Sequence, residues 1–180
     1  MIWARGFLIL MFWTALGVCR ADGTLELKDY PLVDQDGQRA RLVSQVIGDR
    51  VVVMNFIFTD CTTACPVTTA IMKAVYQGLG TEDRVRLITV TANPAVDTPA
   101  RLREYAERYG AVGKRWVWLS GDKEQVDELL LSVGAYSSEV SQHPSLILVG
   151  EAGGGGWTTF YGFPAAATLL EQVRRYLAGK

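Results

Sequence analysis

The stretch VVVMNFIFTDCTTACPVTTAIM, residues 51–72, holds most of what decides the fold. Val51 to Phe58 is an unbroken apolar run rich in β-branched and aromatic side chains, apart from Asn55. That composition predicts a central strand buried on both faces. Two cysteines follow, Cys61 and Cys65, four residues apart, and Pro66 comes directly after the second. From Pro66 to Leu79 the apolar residues Ile71, Val75 and Leu79 recur at helical spacing. Proline is tolerated in the first turn of a helix, where its missing N–H would have no partner. Two thiols at the seam between a buried strand and a helix can be a structural staple, a redox couple or a metal clamp.

Outward from this seam the elements alternate in type. The segment LELKDYPLVDQDGQRARL (25–42) reads as two strands around Asp36-Gly37, a hairpin signal. After the first helix come a strand at Val85–Thr91, a helix at Thr98–Tyr109 with Pro99 near its start, and a short strand at Trp116–Leu119. A helix follows at Asp122–Val133, with Val126, Leu129, Leu130 and Val133 on one face. Ser145–Val149 and Trp157–Tyr161 read as a strand pair across the glycine run Gly153–Gly156, and Ala165–Leu177 as a closing helix. The expected architecture is one α/β domain with a central mixed sheet flanked by helices and an N-terminal β-hairpin. In such sheets ligands gather beyond the carboxyl ends of the parallel strands. Cys61 lies just past one of those ends.

Of the 180 residues, 49% are hydrophobic and 21% charged, which suits a globular chain with a proper core. The net charge is −1 and no lysine–arginine block occurs, so nothing points to nucleic acid or an acidic surface as partner. Residues 1–21 differ from the rest. Arg5 precedes an apolar or small stretch from Gly6 to Cys19, short for a membrane span and right for the core of a secretory signal. We expect residues 1–21 to be a signal peptide or N-terminal membrane anchor and residues 22–180 to be the folded domain. Export implies an oxidising compartment, periplasmic or otherwise extracytoplasmic. Once Cys19 departs with the leader, Cys61 and Cys65 are the only cysteines of the chain.

A cysteine at a helix start meets the positive end of the helix dipole, which favours thiolate. Such a pair can close into a disulfide and reopen, or clasp a soft metal such as Cu(I) or Zn(II). Two sulfurs leave such an ion under-coordinated, so a third ligand matters. The chain has one histidine, His143, in SSEVSQHPSLILVG (137–150), directly before an apolar strand and 78 residues after Cys65. Its loop and the cysteine loop fall on the same expected edge of the sheet. A lone C-x-x-x-C can be a simple local disulfide, and a lone histidine is more often not a ligand. Their convergence favours a shared site.

The segment NFIFTDCTTACPV (55–67) resembles the copper-site segment of the Sco/SenC proteins, which take part in cytochrome c oxidase assembly. DTPARLREYAERYG (97–110) resembles their segment after the second central strand, and QHPSLILVG (142–150) falls where those proteins carry a metal-binding histidine. The likeness spreads over most of residues 25–178. It implies a thioredoxin-like fold that binds one copper ion, as Cu(I) or Cu(II), through Cys61, Cys65 and His143. It also implies delivery of that copper to cytochrome c oxidase subunit II, or reduction of that subunit's cysteines. The expected partner is that subunit or another exported copper or thiol protein; nothing in the sequence calls for more than a monomer, and residues 1–21, where retained, would tether it to the membrane. The alternative is a thiol–disulfide oxidoreductase in which Cys61 and Cys65 are a redox dithiol acting on an exported partner. The sequence departs from the family at Thr62-Thr63-Ala64, where many relatives carry a proline and an acidic residue, and at Asn93, where aspartate is common. Pro144 after the histidine suits a thioredoxin-like oxidoreductase, where such a proline is often cis.

Other residues have simpler readings. Asp97 and Thr98 are expected to cap the helix beginning near Pro99. Met54 and Met72 are expected in the core, as are Trp116 and Trp118. Asp60 reads as a solvated turn residue beside Cys61. The segment GGWTTFYGF (155–163) is expected to expose aromatics near a strand end, where they could help dock a partner.

Overall fold

The computed structural model describes residues 20–23, 25–152 and 156–179. Eight strands form a single sheet: β1 (Arg20–Gly23), β2 (Pro31–Asp34), β3 (Arg39–Arg41), β4 (Val51–Ile57), β5 (Val85–Thr91), β6 (Trp116–Ser120), β7 (Leu146–Gly150) and β8 (Trp157–Tyr161). Four α-helices accompany them: α1 (Ala64–Gly78), α2 (Pro99–Arg108), α3 (Lys123–Ser132) and α4 (Ala166–Ala178). The strand order is β1-β8-β7-β4-β5-β6-β2-β3. The central trio β4, β5 and β6 is parallel, and the flanking pairs are antiparallel. This is the mixed sheet the sequence predicts, hairpin included. In the hairpin, Gly37 takes φ 77°, which suits glycine. The Asp34 carboxylate accepts the N–H groups of Asp36 and Gln38 at 2.9 and 2.8 Å.

The apolar run of β4 has two cores to fill. Val52, Met54 and Phe56 point to the side covered by α3 and a short π-helix, Leu42–Ile47. Val51, Val53 and Ile57 point to the side covered by α1, α2 and α4. A strand buried on both faces has no reason to alternate. Met54 and Met72 are fully buried, and Trp116 stacks on Trp118 with ring centroids 5.4 Å apart. The buried Asn55 is the polar exception in β4. Its Oδ1 accepts from the Thr89 hydroxyl at 2.7 Å, which in turn accepts the Trp116 indole N–H at 2.9 Å.

Three elements were not foreseen. Strand β1 pairs with β8 and includes Arg20 and Ala21, which the sequence reading places at the end of the leader. The π-helix takes over Leu42, the last residue of the expected hairpin segment, and the residues after it, for which no element is expected. A single 3-10 turn, Val140–Gln142, leads into His143. The rest of the leader, residues 1–19, and Gly153–Gly155 of the glycine run lie outside the described residues. No helix among the described residues is long and apolar enough to cross a membrane.

Candidate metal centre

Strand β4 ends at Ile57, and the chain turns sharply before α1. The Cys61 N–H donates to the Phe58 carbonyl at 3.1 Å and closes that turn. Helix α1 begins at Ala64, two residues earlier than the expected Pro66, so Cys65 is its second residue. Thr63 occupies the capping position without making a side-chain cap bond. The Cys61 sulfur takes that part instead, accepting the backbone N–H of Cys65 at 3.3 Å. An N–H of the first turn would otherwise lack an acceptor.

The two sulfurs therefore differ. Cys61 is 8% exposed and Cys65 1% exposed, and both are free thiols. Burial works against ionisation of Cys61, but hydrogen bonds from the Cys65 side chain and backbone and from Thr63 outweigh it and lower its pKa. Burial raises the pKa of Cys65, and the neighbouring Cys61 sulfur raises it further. The sequence reading, which lets the helix dipole favour thiolate at both cysteines, holds for Cys61 alone. At Cys65 desolvation wins.

His143 ends the 3-10 turn and leads through Pro144 into β7, which lies antiparallel beside β4. This topology carries the imidazole to the thiols across 78 residues of chain. Nε2 lies 3.9 Å from the Cys65 sulfur. The ring packs edge-on against Phe58, with centroids 5.7 Å apart. Burial lowers the pKa of His143. The Pro144 backbone opposes this, but Nδ1 has no geometrically sound hydrogen-bond partner among the described residues. No cis peptide bond occurs among the described residues, so Pro144 is trans.

The structure thus gathers Cys61, Cys65 and His143 at the end of β4. It does not close them: among the described residues, no three His, Cys, Asp or Glu side chains are already arranged to hold a metal ion. The donor chemistry nevertheless fits a soft ion, with two sulfurs and one neutral imidazole. With bonds of about 2.3 Å to sulfur and about 2.0 Å to nitrogen, one ion shared at ordinary angles needs a sulfur–nitrogen separation of about 3.6–3.8 Å. The 3.9 Å observed exceeds that by a few tenths of an ångström.

Asp60 is an exposed turn residue, as expected, and pairs with Arg101. One residue departs from its sequence reading. Asp97 is no helix cap: Thr98 caps α2, accepting the Arg101 N–H at 3.3 Å. The Asp97 carboxylate turns inward, 1% exposed. It accepts the Thr59 N–H at 3.1 Å, the Thr59 hydroxyl at 2.5 Å and the Thr91 hydroxyl at 2.5 Å. Both residues of the Asp-Thr pair suit a cap by type, and only the fold reveals which one serves. Of the aromatics in the segment expected to expose them, Tyr161 and Phe163 are exposed, whereas Trp157 and Phe160 are buried.

Residues 20–178 match the SCO1/SenC family model. A SCO1 protein homolog of Bacillus subtilis is 31% identical over 128 residues, covering 69% of this chain and 65% of that protein. A putative copper-binding protein of Stutzerimonas stutzeri is 33% identical over 133 residues, covering 68% and 63%. The chain thus spans slightly less than two thirds of each relative. Among solved structures, BsSco, described as a member of the Sco family of cytochrome c oxidase assembly proteins with a disulfide switch, superposes with a TM-score of 0.76. It is 24% identical, over 89% of this chain and 98% of that one. Bradyrhizobium japonicum ScoI with copper bound gives 0.66 and 21% identity, over 82% and 96%. These superpositions establish the thioredoxin-like fold, and the match over residues 20–178 establishes the lineage: the chain belongs to the SCO1/SenC family.

Proposed function

We propose that this protein is an exported copper metallochaperone that carries one copper ion on Cys61, Cys65 and His143, for assembly of a copper centre in cytochrome c oxidase. The observation that carries this reading is the approach of His143 Nε2 to the Cys65 sulfur at 3.9 Å, from a loop 78 residues away. Copper is cargo here. Two thiolates and an imidazole suit Cu(I), and the names of the relatives, a copper-binding protein and a copper-bound ScoI, support the choice. Residues 1–21 act as leader or anchor and deliver the domain to the periplasmic side. Subunit II of the oxidase, or another exported protein with copper-ligating thiols, is the recipient.

Each residue has a distinct part. Cys61, the less buried and more acidic sulfur, meets incoming copper first. Cys65 gives up its proton as the ion enters. His143 reaches it already neutral. Loading requires the open dithiol, so copper carriage and redox state are linked.

A second reading has its own support. A lowered-pKa sulfur near the surface, with a buried partner thiol behind it, is also the arrangement of an attacking and a resolving cysteine. His143→Ala separates the two. Loss of copper retention with dithiol reductase activity intact supports delivery. Unchanged copper retention would overturn the three-ligand site.

A further inference from the structure

We propose that Asp97 is a positioning residue which, through Thr59, holds the Cys61 loop in its open dithiol arrangement and so sets how easily Cys61 and Cys65 join. This rests on the dithiol being the working site of the protein, and not on copper delivery.

The Asp97 carboxylate directs most of its hydrogen bonds to one residue. Asp97 lies in the loop after β5, 36 residues beyond Cys61, and touches neither sulfur by any hydrogen bond. Two of its three bonds grip one residue, Thr59, by backbone N–H and by hydroxyl. Thr59 stands two residues before Cys61, at the point where β4 gives way to the turn. The third bond ties Asp97 to Thr91 at the end of β5, whose hydroxyl also accepts the Asn93 N–H at 2.9 Å. Arg101 of α2 closes the arrangement from outside. Its Nε donates to the Thr59 hydroxyl at 3.2 Å, and its guanidinium pairs with Asp60. Residues 59 and 60 are therefore fixed to β5 and α2 immediately before the reactive sulfur.

A loop held this way resists displacement. Joining the sulfurs into a disulfide draws Cys61, which now accepts the N–H and the thiol of Cys65, from hydrogen-bond contact to covalent bond length, and so displaces the loop that carries it. The clamp on Thr59 favours the open state in which it is observed. A buried carboxylate serving only as a staple would stabilise the whole fold and leave the balance between dithiol and disulfide unchanged.

Asp97→Asn tests this with almost no change in shape. It replaces one acceptor oxygen by a donor facing Thr59 or Thr91. The metal-free protein is equilibrated with glutathione and its disulfide without oxygen. One Cys61–Cys65 sulfur–sulfur bond forms, and the two electrons and two protons released split the glutathione disulfide into two thiols. We expect the equilibrium constant for disulfide formation to rise about tenfold in Asp97→Asn, equal to about 30 mV toward more negative potential. Thr59→Val, which loses the hydroxyl, should follow it and serves if Asp97→Asn does not fold. Thr59→Ser, which keeps both donors, should retain the wild-type value. Asp29→Asn removes a hydrogen-bonded carboxylate that serves Arg41, Val43 and Ser44 instead, and should lower the melting temperature without moving the potential. If Asp97→Asn and Thr59→Val melt earlier yet keep the wild-type potential, Asp97 is a staple and the proposal is overturned. A wild-type protein that retains no copper would overturn the proposed function and leave this shift measurable.

Discussion

Raising the pH from about 6 to about 8 should tighten copper binding to the reduced protein chiefly through one sulfur, that of Cys65. Burial and the neighbouring Cys61 raise its pKa, so it carries its proton throughout this range when free of metal. Copper binds the thiolate, so every ion that enters must displace that proton. Mass action then strengthens affinity tenfold per pH unit, or about 1.4 kcal/mol per unit and roughly 100-fold across the interval. His143 adds little to the slope at the upper end, because burial lowers its pKa and leaves no ring proton to displace. Cys61, with a lowered pKa, adds a further increment only where it is still protonated. The expected logarithmic slope is therefore at least one, falling by about one in Cys65→Ser. Anaerobic competition with a Cu(I) chelator at three pH values measures it, and proton release into weak buffer checks it independently. An affinity flat from pH 6 to 8, or a Cys65→Ser protein with the wild-type slope, would refute the assignment of a buried, protonated ligand.

Iodoacetamide at neutral pH should modify Cys61 well before Cys65, since Cys61 is both more exposed and more acidic; peptide mapping after partial reaction reads the order, and equal labelling contradicts it. Desolvation works against the Asp29 carboxylate, but hydrogen bonds from Ser44, Arg41 and Val43 prevail and hold its pKa at about 2. With a folded value below the unfolded one, about 3.9, its stabilising effect is present above that pH and lost as the pH falls toward 2, so Asp29→Asn should flatten the urea midpoint over that range. Met72→Ala should cost about 2–5 kcal/mol in urea unfolding, because Met72 is fully buried on the inner face of α1 and truncation leaves a cavity. Gly150→Ala should also destabilise, since a β-carbon there would lie 2.6 Å from the Gly156 carbonyl oxygen and 2.7 Å from the Trp157 ring, and a melting temperature equal to wild type would contradict it.

Much of this was legible from the residues, for identifiable reasons. The continuous apolar run of β4 could only be satisfied by cover on both faces, and the alternation of strands with amphipathic helices supplied that cover. The hairpin announced itself through Asp36-Gly37. The scarcity of cysteine and histidine made the site conspicuous, and loop positions on one sheet edge brought its three residues together. What escaped depends on contacts between distant segments. The π-helix of residues 42–47 has no repeating pattern long enough to stand out. Cys65 carries no local sign that burial overrides the helix dipole. Asp97 has the sequence environment of a cap, and its inward turn follows from the positions of Thr59, in the turn after β4, and Thr91, at the end of β5.

X-ray absorption at the copper edge of the reduced, copper-loaded protein reads the ligands of the ion itself. A site built from Cys61, Cys65 and His143 gives one copper per chain with two sulfur neighbours and one imidazole nitrogen, and loses the nitrogen scattering in His143→Ala. A wild-type spectrum with sulfur neighbours alone, unchanged in His143→Ala, would contradict it.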